Sequence, residues 1–180
     1  MKQCLILVDI QNDYFPGGKM EVVEMEKAAE NSQTLLDKFR NEGAPLFHIK
    51  HISRRPGATF FLPETDGAKI HDIVSPEEGE TVIEKNFPNS FRETDLLSNL
   101  KENGTEELVI CGAMSHMCID ATTRAAFDFG FRCVVINDAC ATRDMIYNGE
   151  IIEAASVHAA FMAALAVPYA KVISTIEYMA

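Results

Sequence analysis

Three polar residues fall where apolar runs break. Asp9 closes Leu5-Ile6-Leu7-Val8, Lys85 comes just after the apolar pair Val82-Ile83, and Cys118 follows the Gly112 turn at the start of an amphipathic stretch. A thiol in the first turn of a helix meets unpaired backbone N–H groups and the positive end of the helix dipole, which favour the thiolate. A nearby cation such as Lys85 would lower its pKa further below the free value of about 8.5. The same N–H groups could hold the oxyanion of an acyl-transfer intermediate. A carboxylate buried like Asp9 needs a partner, and it could take the thiol proton and deliver it to a leaving group. Each residue also has a plainer use: an inert buried cysteine, a carboxylate capping a turn with Gln11, Asn12 and Asp13, and a solvated lysine paired with Glu84. Local sequence leaves both uses open.

Other chemistries find less support. His48 and His51, three apart on a strand, point to opposite faces and cannot readily share an ion. His71, His116 and His158 show no paired spacing, so the histidines read as structural or surface groups, although His116 is close enough to Cys118 to touch a substrate. No metal site is expected. Neither a G-x-G-x-x-G nor a Walker loop occurs, and Gly17-Gly18 reads as a turn, so no nucleotide or other cofactor is expected. The five cysteines, Cys4, Cys111, Cys118, Cys133 and Cys140, are odd in number and contain no C-x-x-C, which argues against a disulfide framework or zinc knuckle. Phe15, Phe60, Phe61, Phe87, Met114 and Met117 are candidates for the apolar wall of a substrate pocket, with core packing as their other use.

The elements that must position these residues follow from periodicity. Cys4 to Ile10, Pro45 to Lys50, Glu107 to Cys111, Arg132 to Asn137 and Lys171 to Ser174 read as short buried strands rich in Val, Ile and Leu. Val22 to Asn41 carries Met25, Ala28, Ala29, Leu35, Leu36 and Phe39 at helical spacing, with Gly43 as the C-cap. Cys118 to Phe129 and Glu150 to Ala166 read as further helices, stopped by Gly130 and Pro168. The alternation predicts an α/β fold: a three-layer, doubly wound, Rossmann-like sheet, mostly parallel, with helices on both faces. Ile52 to Gly79, rich in Pro and Gly, reads as a long excursion over one sheet edge. Ligands of such sheets bind at the carboxyl ends of the strands where strand order reverses, and Asp9, Lys85 and Cys118 could all face that crevice.

Composition bounds the rest. The 180 residues, 47% hydrophobic, suit a single domain over residues 1–180 with a core that needs no disulfide or metal. Their formal charge of −11 and the lack of a basic patch exclude general nucleic-acid binding and electrostatic membrane attachment. The run Cys4 to Val8 is too short for a signal-peptide core or membrane span, so a cytoplasmic protein is expected.

Read together, Leu7-Val8-Asp9-Ile10-Gln11-Asn12-Asp13-Tyr14-Phe15, Glu84-Lys85-Asn86-Phe87-Pro88-Asn89-Ser90-Phe91, Cys111-Gly112-Ala113-Met114-Ser115-His116-Met117-Cys118-Ile119-Asp120-Ala121-Thr122 and Asp138-Ala139-Cys140-Ala141-Thr142 resemble the isochorismatase-like cysteine hydrolases, over nearly the whole chain. The resemblance implies a catalytic triad of Asp9, Lys85 and Cys118 that cleaves a C–N bond of a small amide or carbamoyl substrate through a thioester. It further implies a cis peptide at Ala113-Met114, an oxyanion hole from the amides of Met114 and Cys118, and a homo-oligomer, dimer or larger. Isochorismatases proper lack the cysteine, so Cys118 favours the thiol branch. Nicotinamidases carry an Asp-x-His metal motif where this chain has Ile49-Lys50-His51-Ile52-Ser53, which disfavours both a catalytic metal and nicotinamide as substrate. A redox-responsive thiol protein, with Cys111 or Cys140 as resolving partner, and a non-catalytic scaffold on the same fold are the competing readings.

Overall fold

The computed structural model describes residues 1–180. In chain order the elements are β1 (Gln3–Val8), α1 (Met25–Glu42), β2 (Leu46–His51), β3 (Thr81–Lys85), α2 (Leu96–Glu102), β4 (Glu107–Ala113), α3 (Asp120–Asp128), β5 (Arg132–Ala141), β6 (Met145–Tyr147), β7 (Glu150–Ile152), α4 (Ala154–Leu165), β8 (Lys171–Ile173) and α5 (Thr175–Met179). Six strands form one parallel sheet in the order β3-β2-β1-β4-β5-β8. From β1 the chain winds outward to β2 and β3, then returns to lay β4, β5 and β8 on the other side. Strand order therefore reverses between β1 and β4, whose residues pair from Gln3 with Glu107 to Val8 with Gly112.

Both faces of the central strands are covered. Leu5 and Leu7 of β1 and Val109, Cys111 and Ala113 of β4 join a core with Ala28, Leu35, Leu36 and Phe39 of α1. Their neighbours Cys4, Ile6, Val8, Leu108 and Ile110 join a second core with Leu96 and Leu100 of α2, Ala126 of α3 and Met162 and Leu165 of α4. This two-sided burial is why the strands read as continuous apolar runs rather than alternating ones. Helix α1 buries every apolar position that its spacing assigned and ends at Gly43, whose positive φ of 60° lets its N–H turn back to the carbonyls of Phe39 and Arg40.

Several boundaries differ from the sequence expectation. Thr81–Lys85 is a strand, although only Val82-Ile83 is apolar: it lies at the sheet edge, with Ile83 and Lys85 buried and Thr81, Val82 and Glu84 exposed. Strand β5 runs on to Ala141 through a register shift opposite Ile110 and Gly112, which carries Cys140 and Ala141 alongside the end of β4. Glu150–Ile152 does not begin a helix; it pairs antiparallel with Met145–Tyr147 around Asn148-Gly149, both at positive φ. Cys118 lies in a single π-helical turn, Ser115–Ile119, and the α-helix proper starts at Asp120. The excursion after β2 contains two 3-10 turns, Asp66–Ala68 and Asp72–Val74, and is tied to the first loop by a bridge between Gln11 and Ile70. No helix is long and apolar enough to cross a membrane.

Candidate active site

The reversal point between β1 and β4 is where a doubly wound sheet leaves a crevice beyond its strand ends. Asp9 follows β1 directly, at φ 52°, with its backbone N–H donating to Ile49 O. The turn that holds Cys118 follows β4, after a cis peptide between Ala113 and Met114. Ser115 Oγ donates to Ala141 O at 3.2 Å and lies 2.8 Å from His158 Nδ1, while His116 Nδ1 sits 2.6 Å from Thr142 Oγ1. The extended β5 and helix α4 thus anchor the turn.

Lys85 comes from the edge strand β3, two strands or roughly 10 Å from β1 at about 4.8 Å per strand, and its long side chain and that of Asp9 meet across the gap. Its Nζ donates to Asp9 Oδ2 at 2.7 Å, Cys118 Sγ at 3.2 Å and Phe87 O at 3.1 Å, and lies 3.0 Å from His51 Nδ1. Asp9 is 0%, Lys85 1% and Cys118 4% exposed. The three residues singled out by sequence therefore converge on one nitrogen. Asp9 Oδ1 is buried without a hydrogen-bond partner, which leaves one oxygen uncommitted on a carboxylate whose donor atom lies within 4.8 Å of the thiol sulfur.

Burial pushes the Cys118 thiol well above its ordinary pKa, Asp9 pushes the same way, and Lys85 only partly offsets them. This is opposite to the direction argued from a helix end, because desolvation of a sealed sulfur outweighs one adjacent cation. Burial also works against the Lys85 ammonium, but Asp9 and Cys118 outweigh it, and the net shift is upward. The resting site is thus a protonated thiol beside an ammonium.

His51 reads from sequence as a structural or surface histidine, yet its ring meets Lys85 beside Asp9 and Cys118. Asp9, His51 and Cys118 bring one donor atom each to within 4.8 Å of one another, but the Lys85 ammonium already contacts all three and supplies the positive charge there. Gln11, read as a turn residue, clamps the strand end that carries His51. Its Oε1 accepts from His51 N at 2.7 Å, and its Nε2 donates to His51 O at 2.9 Å and Ala68 O at 2.8 Å. Only the pairing of distant strand ends reveals either role.

The aromatic and methionine candidates separate by depth. Phe61 is fully buried against Tyr14, with ring centroids 4.5 Å apart, and Phe15 is buried and stacked on His71 at 3.6 Å. Met114 is also buried, in the core shared with α1. Phe60 and Phe87 are half-buried, the latter beneath the Arg92 guanidinium at 3.6 Å, and Met117 is 41% exposed. All five cysteines are buried and free.

A doubly wound parallel sheet with an acid, an amine and a thiol at its reversal point defines an α/β protein of the isochorismatase type. The isochorismatase domain family matches residues 3–177, and the chain belongs to it. The isochorismatase family protein YddQ of Bacillus subtilis (strain 168), itself uncharacterized, is 52% identical over 179 residues, covering 99% of each chain. The crystal structure of a protein from Oleispira antarctica, assigned to the isochorismatase hydrolases, superposes with a TM-score of 0.95 at 51% identity, covering 99% of this chain and 96% of that one. Nicotinamidase 3 of Arabidopsis thaliana is 29% identical over 170 residues, 88% of this chain and 80% of its own.

Proposed function

We propose that this protein is a cysteine-dependent amidohydrolase that cleaves the C–N bond of a small amide or carbamoyl compound. The observation that carries the reading is the convergence of Asp9, Lys85 and Cys118 on one buried point, in a family with an amide-cleaving relative. Asp9 Oδ1 takes the Cys118 proton as the sulfur attacks the carbonyl carbon, so the buried thiol ionises only as the C–S bond forms. The oxyanion is received by the backbone amides of Met114 and Cys118. As the C–N bond breaks, the departing nitrogen takes the proton from Asp9, leaving a thioester. Water then gives a proton to Asp9 and attacks the thioester carbon; the C–S bond breaks, and the sulfur regains that proton. Lys85 stays protonated throughout and balances whichever of Asp9 or Cys118 carries the negative charge.

Half-buried Phe60 and Phe87 and exposed Met117 supply the apolar wall of the cleft in this reading. Ile49-Lys50-His51-Ile52-Ser53 stands where nicotinamidases carry an Asp-x-His metal motif, which favours amides other than nicotinamide as substrate. The test is ammonia or amine release from a panel of primary amides, carbamoyl compounds and ureido acids, by wild type and Cys118→Ala, with chelator present. Turnover by wild type alone, with a Cys118 adduct of acyl mass in quenched samples, is the expected result. Equal turnover by Cys118→Ala, or complete dependence on added metal, would overturn the mechanism.

A further inference from the structure

The ammonium of Lys85 determines the protonation state of the imidazole beside it. An ammonium nitrogen carries three N–H donors and no lone pair. Four acceptors, Asp9 Oδ2, Cys118 Sγ, Phe87 O and His51 Nδ1, therefore share three N–H groups; an Nδ1–H on His51 would point at a nitrogen with no lone pair 3.0 Å away, so Nδ1 presents its lone pair there and the neutral ring carries its proton on Nε2. The ring is held in place from behind, because the His51 backbone is gripped on both its N–H and C=O by Gln11. His51 Nε2 forms no hydrogen bond within the protein and is not among the sealed, partnerless polar atoms, so its N–H retains access to solvent and to a ligand. The groups that face the ring agree with a neutral state. Burial, then the Lys85 charge, holds its pKa down at about 4, with Arg55 acting in the same direction and Asp9 opposing.

We infer that His51 is a substrate-contacting residue of this site, a neutral imidazole that steadies Lys85 through Nδ1 and offers Nε2–H to a carbonyl or carboxylate oxygen of the substrate. The substrate contact rests on the amidohydrolase reading; the tautomer does not. A neutral donor suits a cleft that already holds one ammonium, since a second charge there would oppose protonation of Lys85. The favoured substrates then carry an acceptor oxygen beyond the scissile carbonyl, as ureido and amido acids do.

Two measurements test this. Long-range proton–nitrogen NMR on the histidine-labelled protein, with His51 assigned by its loss in His51→Asn, should show the Nε2–H tautomer unchanged between about pH 5 and 8. An imidazolium or an Nδ1–H tautomer in that range would overturn the assignment. In kinetics on the best substrate of the amide panel, His51→Leu should lose about tenfold to a hundredfold in kcat/KM. His51→Asn, which offers both an acceptor and a donor, should recover part of that loss. The penalty should shrink for an analogue lacking the second acceptor oxygen, and matched acid and amide substrates will separate carboxylate from carbonyl recognition. Equal losses on all analogues would overturn the contact. Absence of any turnover by wild type would overturn the amidohydrolase reading and the contact with it, while the NMR result still decides the state of the ring.

Discussion

Lys85 Nζ and Asp9 Oδ2 are 2.7 Å apart, 76 residues distant in sequence, and neither side chain reaches solvent. Because β2 lies between their strands, the pair exists only when three strand ends are in register. Breaking such a pair from one side leaves an uncompensated buried charge. Lys85→Met should therefore cost about 3–5 kcal/mol, and adding Asp9→Asn should return part of it. Urea denaturation of the two single variants and the double variant measures the coupling; additive losses would show that the charges do not sense each other.

Removal of the Cys118 sulfur should separate activity from stability. Cys118→Ala deletes one sulfur from a packed position and should change stability by no more than about 1 kcal/mol, while turnover falls by a factor on the order of 10³ or more. Cys118→Ser should be nearly as inactive, since Asp9 cannot readily deprotonate a buried hydroxyl. Thermal melts alongside product assays make the comparison.

Acid stability should depend on Glu80. Its carboxylate accepts from Arg40 Nε at 2.7 Å and Nη2 at 2.8 Å and lies 2.9 Å from His48 Nε2. The Arg40 hydrogen bond, with help from Glu77 N and His48, holds its pKa at about 2 against an ordinary 4.5, despite an opposing effect of burial. A depressed carboxylate stabilises the fold above the unfolded value, so this contribution is lost as pH falls from 4.5 toward 2. Burial holds His48 below its ordinary 6.5, so the unfolded chain binds that proton more readily and stability also declines as pH drops below 6.5. In Glu80→Gln, urea midpoints should be lower at neutral pH and flatter across the 4.5-to-2 window than in wild type.

Gly112 sets the distance between the two central strands at the site. Its φ is +117°, and a Cβ there would collide with Val8 O, one residue before Asp9. Gly112→Ala should cost about 2–3 kcal/mol or more and reduce turnover by displacing Asp9. Gly130→Ala, at positive φ but with nothing within 4 Å, is the control and should cost only about 1–2 kcal/mol of backbone strain with turnover unchanged. Matched stability and rate measurements on the pair separate collision from strain.

How much was legible beforehand depended on how far each signal reached along the chain. The inner apolar strands β1, β2, β4 and β5 and helix α1 were readable because burial on both faces favours apolar runs and a helix resting on the sheet demands its 3.6-residue period, while edge strand β8 was readable from its Val172-Ile173 pair alone. Edge strand β3 was not, since with one flank solvated it buries only Ile83 and Lys85. The β6–β7 hairpin carried a readable signal in Asn148-Gly149 that the helical pattern downstream concealed. At the site, the identities of Asp9, Lys85 and Cys118 could be picked from local context and motif. Their meeting at Lys85 Nζ, the raised thiol pKa and the entry of His51 could not. Residue type and spacing dictate which groups an element carries and which of its faces is apolar. Contacts between the ends of β1, β2, β3 and β4, and the loss of water around them, are decided only when the sheet assembles, because desolvation and hydrogen-bond geometry belong to the packed strand ends together and to no single segment.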